Sequence, residues 1–280
     1  MSKIKNKQTN KPHHITKQEM KQLHNTLLSL LVEFDRICRK HDIPYSIDGG
    51  TLLGAVRHGG FIPWDDDADV ILNRTAYNKL LKYLPSELDE KEFYFQDINS
   101  TPGYLWGYAK LRKSNTQCVR LNQDFWPYEQ GVYLDIFVCD NVPQNYAARC
   151  LCNFNSFLLR KLFYSKLGRF EERNTIKRFV YRIMSLISEK RLKRIYNSYI
   201  HHRNKKPSNL VKCITYPAIN KMYGYKKEWY EDVTDIDFEG VTLLGSRKRK
   251  EYLKFMYGDY MKIPPKSDRK VHPVSKFYIP

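Results

Sequence analysis

No stretch of this 280-residue chain approaches the roughly 18 to 20 consecutive apolar residues that cross a bilayer as a helix, so no membrane-spanning helix is expected. The start MSKIKNKQTNKPHH is basic but has no apolar run behind it, which argues against a secretory leader. Cysteine is sparse. The six residues Cys38, Cys118, Cys139, Cys150, Cys152 and Cys213 form no CxxC pair and no zinc-like spacing with histidine, which predicts reduced thiols in a cytoplasmic protein. No internal repeat is present, and residues 145–203 contain no proline and one glycine, Gly168. Acidic side chains are also in short supply, 30 against 48 Lys and Arg, for a net charge of +18.

Such a charge invites nucleic acid, anionic lipid or a phosphorylated substrate as partner. Its location decides among them. Residues 1–22 carry net +5 and residues 145–206 net +13, from sixteen basic and three acidic side chains; residues 23–144 carry net −5 and residues 207–280 net +5. The chain therefore reads as a slightly acidic core with two basic additions, and nucleic acid is not expected as a partner. Residues 1–15 read as a disordered basic tail, and 16–280 as a single domain with a basic helical insertion at about 145–206.

Apolar residues at three- and four-residue intervals predict an amphipathic helix over 16–41, ended by Pro44. A short strand at Tyr45 to Ile47, a Gly49-Gly50 turn and a helix capped at Thr51 follow. Ala68 to Leu72, Phe93 to Phe95, Tyr104 to Arg112 and Val132 to Val138 read as strands, Thr75 to Leu84 and Glu251 to Tyr257 as helices, and Phe238 to Leu244 as a late strand or hairpin. Residues 145–203 read as two or three basic helices. Strands interleaved with helices predict an α+β fold with a mixed sheet.

The densest chemistry lies between Asp48 and Val70. Asp65, Asp66, Asp67 and Asp69 put four carboxylates in five positions and run into an apolar strand. Two like charges about 4 Å apart cost roughly 4 kcal/mol at an effective dielectric of about 20, so a cation is expected among them. Residues two apart on a strand share a face about 6.6 Å apart, which directs Asp67 and Asp69 together. Carboxylates so placed suit Mg²⁺. Asp135, the one acid in Val132 to Val138, could complete the cluster from a neighbouring strand, a buried carboxylate needing compensation. The plainer alternative is an exposed acidic turn. Gly49 and Gly50 before a capped helix allow backbone N–H groups to face a phosphate. Lys110 and Arg112, two apart in a strand, and Arg57-His58 in the loop are candidate phosphate contacts, or else ordinary exposed basic residues. Trp106 and Tyr108 could stack on a base or surround a quaternary ammonium, or belong to the core.

The run from Tyr45 to Val70, with GGTLLGAVRHGGFIPWDDDADV, resembles the signature of the LicD family of phosphotransferases, which has the nucleotidyltransferase fold and includes the fukutin-related enzymes. The resemblance continues at Ala109 to Arg112, Gly131 to Phe137, Tyr257 to Met261, Pro264-Pro265 and His272-Pro273. Ala68 and the Val138-Cys139 pair depart from the family pattern without touching a ligand position. The resemblance implies that Asp67 and Asp69 bind the metal, Mg²⁺ or Mn²⁺, with Asp65 accessory and Asp135 the third carboxylate, and that Gly50 and Thr51 meet the donor phosphates. It implies a CDP-activated donor, most readily CDP-choline, and a glycan or lipid-linked sugar acceptor. Asp48 or Asp135 would take the acceptor proton. The basic helices would then serve either as a solvated cap or as a peripheral contact with anionic membrane at the inner face of the cell.

Overall fold

The structure, a computed structural model, describes residues 12–217, 220, 222–269 and 271–280. The expected tail therefore lies mostly outside the described residues. Within the described end of that tail, the His13 N–H donates to the Val274 carbonyl at 2.8 Å.

Helix α1 (Lys17–Lys40) begins with a reciprocal cap, in which Thr16 Oγ1 accepts from the Glu19 N–H and Glu19 Oε2 accepts from the Thr16 N–H. Its Leu23, Leu27, Leu30, Leu31, Phe34 and Cys38 are buried against the central sheet. Strand β1 (Ser46–Ile47) leads into α2 (Gly49–His58), then β2 (Asp69–Asn73) and α3 (Arg74–Glu87). Next come β3 (Phe93–Gln96), β4 (Ala109–Lys113), β5 (Gln117–Arg120) and β6 (Tyr133–Asn141). Three helices fill the basic segment, α4 (Tyr146–Glu171), α5 (Thr175–Met184) and α6 (Glu189–Asn204). The chain closes with β7 (Leu210–Lys212), β8 (Tyr225–Lys226), α7 (Glu228–Glu231), β9 (Val233–Phe238), β10 (Val241–Ser246), α8 (Arg249–Tyr257) and β11 (Val274–Tyr278).

The main sheet runs β3-β4-β6-β2-β1-β10-β9, with β7 and β8 attached to the far end of β6. The β2–β6 and β1–β10 pairs are parallel and the rest antiparallel, so the sheet is mixed and flanked by helices, as the α+β reading expects. The late hairpin is β9–β10, turned by Glu239 and Gly240, both at positive φ as a two-residue turn between twisted strands requires. Strand β4 starts at Ala109, five residues later than the alternation from Tyr104 suggested, and 104–108 lead in without ladder bonds. A separate apolar cluster holds the inserted helices to the sheet's end through Leu159, Phe163, Leu192, Tyr196 and Ile200, packed with Leu105 and Val142. All six cysteines are free thiols, and no helix among the described residues is long and apolar enough to cross a membrane.

Candidate active site

The parallel register of β2 and β6 sets Asp69 opposite Asp135, and the antiparallel register of β6 and β4 sets Asp135 opposite Lys110. Three adjacent strands thus present carboxylate, carboxylate and ammonium in one row. Lys110 Nζ donates to Asp135 Oδ1 and lies 3.3 Å from the centre of the Tyr133 ring. Burial pushes the Lys110 ammonium down to about 8, against the opposing pull of Asp135.

Backbone bonds lock this row to the start of α2. The Asp135 N–H donates to the Ala68 carbonyl at 2.9 Å and the Asp48 N–H to the Asp69 carbonyl at 3.0 Å. The Asp69 N–H donates to Thr51 Oγ1 at 2.9 Å. Gly49 has φ +53°, a left-handed conformation that side chains disfavour, and a Cβ there would come 3.1 Å from Asp69 Oδ2. The glycine turn therefore lets the helix start pass close over the carboxylate. Asp65 reaches the same place, its Oδ2 lying 2.5 Å from where a Cβ of Gly50 would be. The N-cap residue of α2 is Asp48 and not Thr51 as expected, because the helix already begins at Gly49; Asp48 Oδ1 accepts from Tyr252 Oη at 2.5 Å.

A cavity of about 380 Å³ opens on this row, with Asp67, Asp69, Asp135, Lys110, Arg112 and Arg120 in its wall. Trp106, Tyr108, Tyr128, Tyr133, Phe137 and Tyr216 also line it, together with Gln123, Gln130 and His272, so its lining mixes charged, polar and aromatic side chains. A second cavity, of about 260 Å³, shares Asp69, Phe137 and Tyr216 with it and reaches Asp48, Gly49 and Gly50.

Crowding of acids in this half-buried space moves their protonation. Burial first, then the charges of Asp67 and Asp66, pushes Asp65 up to about 8. Burial and Asp66 push Asp67 up to about 6. Asp69 is raised well above the usual carboxylate range by burial and then by Asp67, Asp135, Asp48 and Asp65. Burial also raises Asp48. An all-oxygen set whose members repel one another in a cavity is the donor chemistry that a hard divalent cation takes, so these residues fit a Mg²⁺ or Mn²⁺ ion.

Three residues that the sequence reading left without a role here stand beside the row. Arg120 NH1 lies 3.0 Å from Asp66 Oδ2, its NH2 3.5 Å from Asp67 Oδ2, and its Nε donates to Tyr133 Oη at 2.6 Å. His272 meets Asp66 twice, through its N–H at 3.1 Å and through Nδ1 at 2.9 Å. Asp66, Asp67 and His272 offer ligand atoms that all lie within 4.8 Å of one another, a possible acidic metal site. Both oxygens of Asp66 are already engaged by Arg120 and His272, however, and Asp66 is buried at 6% exposure, which suits it to tying β5 and the C-terminal segment to the acidic loop. The DDDAD run pointed to the loop; nothing local pointed to Arg120, which the β5–β11 pair brings in.

Several candidates have other engagements. Arg112 lines the cavity, but its Nε donates to Gln96 Oε1 and its NH1 to the Gly131 carbonyl, each at 2.6 Å. Arg57 NH1 donates to the carbonyls of Tyr260 and Lys262 at 3.0 and 3.3 Å, and His58 stands edge-on to Trp64; neither lines the cavity. Thr51 gives its hydroxyl to β2.

Residues 42–147 match the family model described as LicD/FKTN/FKRP, nucleotidyltransferase domain. The lipopolysaccharide cholinephosphotransferase LicD of Haemophilus influenzae is 29% identical over 262 residues, which cover 90% of this chain and 95% of that protein. An uncharacterised protein of Rickettsia prowazekii is 28% identical over 121 residues, 43% of this chain and 41% of its own. The human ribitol 5-phosphate transferase FKRP is 31% identical over 94 residues, 31% of this chain and 17% of that protein. Both the carboxylate row and the glycine turn lie inside the matched domain. Residues 42–147 thus carry a LicD/FKTN/FKRP nucleotidyltransferase domain, and together with the similarity to LicD over most of the chain this indicates a phosphotransferase.

Proposed function

We propose that this protein transfers phosphocholine from CDP-choline to a sugar hydroxyl of a cell-surface glycan of the lipopolysaccharide type, releasing CMP. The observation that carries the reading is the row Asp69, Asp135, Lys110 in the wall of a cavity that aromatic side chains also line. The similarity over most of the chain to a lipopolysaccharide cholinephosphotransferase supports phosphocholine as the group transferred.

Asp67, Asp69 and Asp135 would hold Mg²⁺ or Mn²⁺, with Asp65 accessory beside Gly50. When bound, the ion neutralises charge on the donor's diphosphate and polarises the phosphorus centre. Lys110, still mostly an ammonium at neutral pH, donates to Asp135 and would face the phosphate oxygens. Arg120 orients Asp67 through the 3.5 Å contact. The amides at the start of α2 face the same phosphates, and Gly49, Gly50 and Thr51 bring them close. Trp106, Tyr108 and Tyr216 surround the choline trimethylammonium, for which ring faces are the usual receptor. Asp48, made more basic by burial, takes the acceptor proton; Asp135, occupied by Lys110, is the lesser base.

The test is CMP release. Purified protein given CDP-choline, Mg²⁺ and a lipooligosaccharide acceptor is expected to release CMP, with EDTA abolishing release and Mg²⁺ restoring it. CDP-ribitol, CDP-glycerol and CDP-ethanolamine run in parallel; preference for CDP-ribitol would move the transferred group toward ribitol 5-phosphate, which the human relative's name gives. No CMP from any donor, or appearance of CMP on the acceptor, sinks the reading in favour of nucleotidyl transfer or no transfer.

A further inference from the structure

We propose that helix α5, with the turn that follows it, is a docking face for an anionic phospholipid bilayer. Ile176, Phe179, Val180 and Ile183 recur at three- and four-residue spacing and so share one face. That face points to solvent, with exposures of 74%, 61%, 46% and 54%, and Leu186 just beyond the helix is 81% exposed. The helix is attached by a different flank: Tyr181, 6% exposed, lies edge-on to Tyr164 at 5.3 Å and against Gly168, where a Cβ would fall 2.7 Å from its ring. An amphipathic helix normally turns its apolar face to the core; here that face is the outer one, which marks an interaction site.

Charge selects the occupant. Residues 173–188 hold Arg173, Lys177, Arg178 and Arg182 and no acid. Cations flanking exposed Phe, Ile and Leu on a short helix are the pattern of a helix lying in the plane of an anionic interface, where head groups attract the cations and the acyl boundary takes the apolar side chains. The positive charge extends over the whole insertion, sixteen basic against three acidic residues across 145–206. The neighbouring α4 adds exposed Leu151, Phe154 and Leu158.

Position gives the face a use. Arg160, Lys161, Phe163 and Tyr164 of α4 line a cavity of about 240 Å³ that shares Trp106, Tyr108 and Tyr216 with the candidate active site. Tyr164 is also the residue against which α5 packs. A bilayer held by α5 therefore lies one helix away from the cavity, within reach of an acceptor carried on lipid. The docking itself does not depend on the donor or the reaction.

The full chain is floated with vesicles of phosphatidylcholine alone and of phosphatidylcholine mixed with phosphatidylglycerol. It is expected to rise only with the anionic vesicles. Two surface variants, Ile176→Ser with Phe179→Ser and Ile183→Ser, and Lys177→Gln with Arg178→Gln and Arg182→Gln, are each expected to lower partitioning by about tenfold or more, with melting temperatures unchanged. The proposal is overturned if the parent stays down with both vesicles, or if both variants float as the parent does. It is overturned equally if light scattering without lipid shows a dimer that the serine variant dissolves, since the face would then be an interface between copies of the chain.

Discussion

Asp69→Asn is expected to lower turnover by about 10³-fold or more while leaving the metal-free protein at least as stable as the parent. The two halves of this result have one cause. Asp69 stands opposite Asp135, close to Gly49 and among Asp48, Asp65 and Asp67, and its carboxyl is raised by burial and by all four neighbours. A charge in that position is disfavoured unless a cation balances it. The substitution keeps the size and shape of the side chain and removes the charge. The backbone anchors, its N–H to Thr51 Oγ1 and its carbonyl from the Asp48 N–H, do not involve the side chain and remain. Without metal, the variant therefore loses repulsion and little else. With metal, it loses an anionic ligand, and metal stabilisation of a phosphoryl transition state is worth several kcal/mol, about tenfold in rate for each 1.4 kcal/mol.

The measurement is paired. CMP release is followed with Mg²⁺ present, and melting is followed in EDTA and across a Mg²⁺ titration. The parent's melting temperature should climb with added cation, because a ligand that binds only the folded state stabilises it. The variant's should climb much less. Parental turnover in the variant would show that Asp69 does not hold the metal; a variant that melts well below the parent in EDTA would show that its carboxylate is a structural support.

How much of this was legible in the sequence depends on how far apart the interacting parts lie. Local signals served well: apolar spacing marked α1, the glycine pair fell at the start of α2, where Gly49 takes a positive φ, and Phe238 to Leu244 fell in the late hairpin. Asp135 was visible as the odd acid in an apolar strand, a choice that burial makes rare without a reason. Its exact neighbours were not, since register between β6, β2 and β4 depends on a sheet order that leaves and re-enters the chain. Arg120 and His272 reach the acidic loop because β5 pairs with β11 across more than 150 residues of sequence, and no short pattern carries that. Thr51, Arg57 and Arg112 have the right chemistry for phosphate, but protein carbonyls, amides and an amide side chain engage them first. The helical rhythm within 145–203 did not tell which face of each helix would be covered; only the packing of Tyr181 on α4 shows that the apolar face of α5 is left outside.

The largest loss of stability is expected from Asp140→Ala, about 3 to 5 kcal/mol. Asp140 lies on β6 and is 1% exposed. Arg74, the first residue of α3, grips it with two parallel bonds, Nε to Oδ1 at 2.8 Å and NH2 to Oδ2 at 2.9 Å. Asn204, the last residue of α6, donates to Oδ1 at 2.6 Å, and Tyr196 of the same helix donates to the Gly107 carbonyl at 3.0 Å, beside the cavity. One carboxylate therefore joins the sheet, the helix after β2 and the end of the basic insertion. Removing it strands the Arg74 guanidinium among Tyr77 and Tyr196, where it has little water to turn to. The cost of a lone buried charge exceeds what the intact pair contributes, so the double variant Arg74→Met with Asp140→Leu should recover most of the loss. Urea unfolding measures this, with the slope checked for constancy so that the midpoint reports stability alone. Against a typical total of about 5 to 15 kcal/mol the single variant should be marginal at best. A midpoint within about 0.5 kcal/mol of the parent, the range of ordinary surface changes, would mean that water reaches Arg74 and that the insertion is held to the sheet by its apolar cluster instead. Hydrogen exchange separates the two cases: a true bridge loosens the C-terminal turn of α6 and the N-terminal turn of α3 together, whereas apolar clamping leaves both protected.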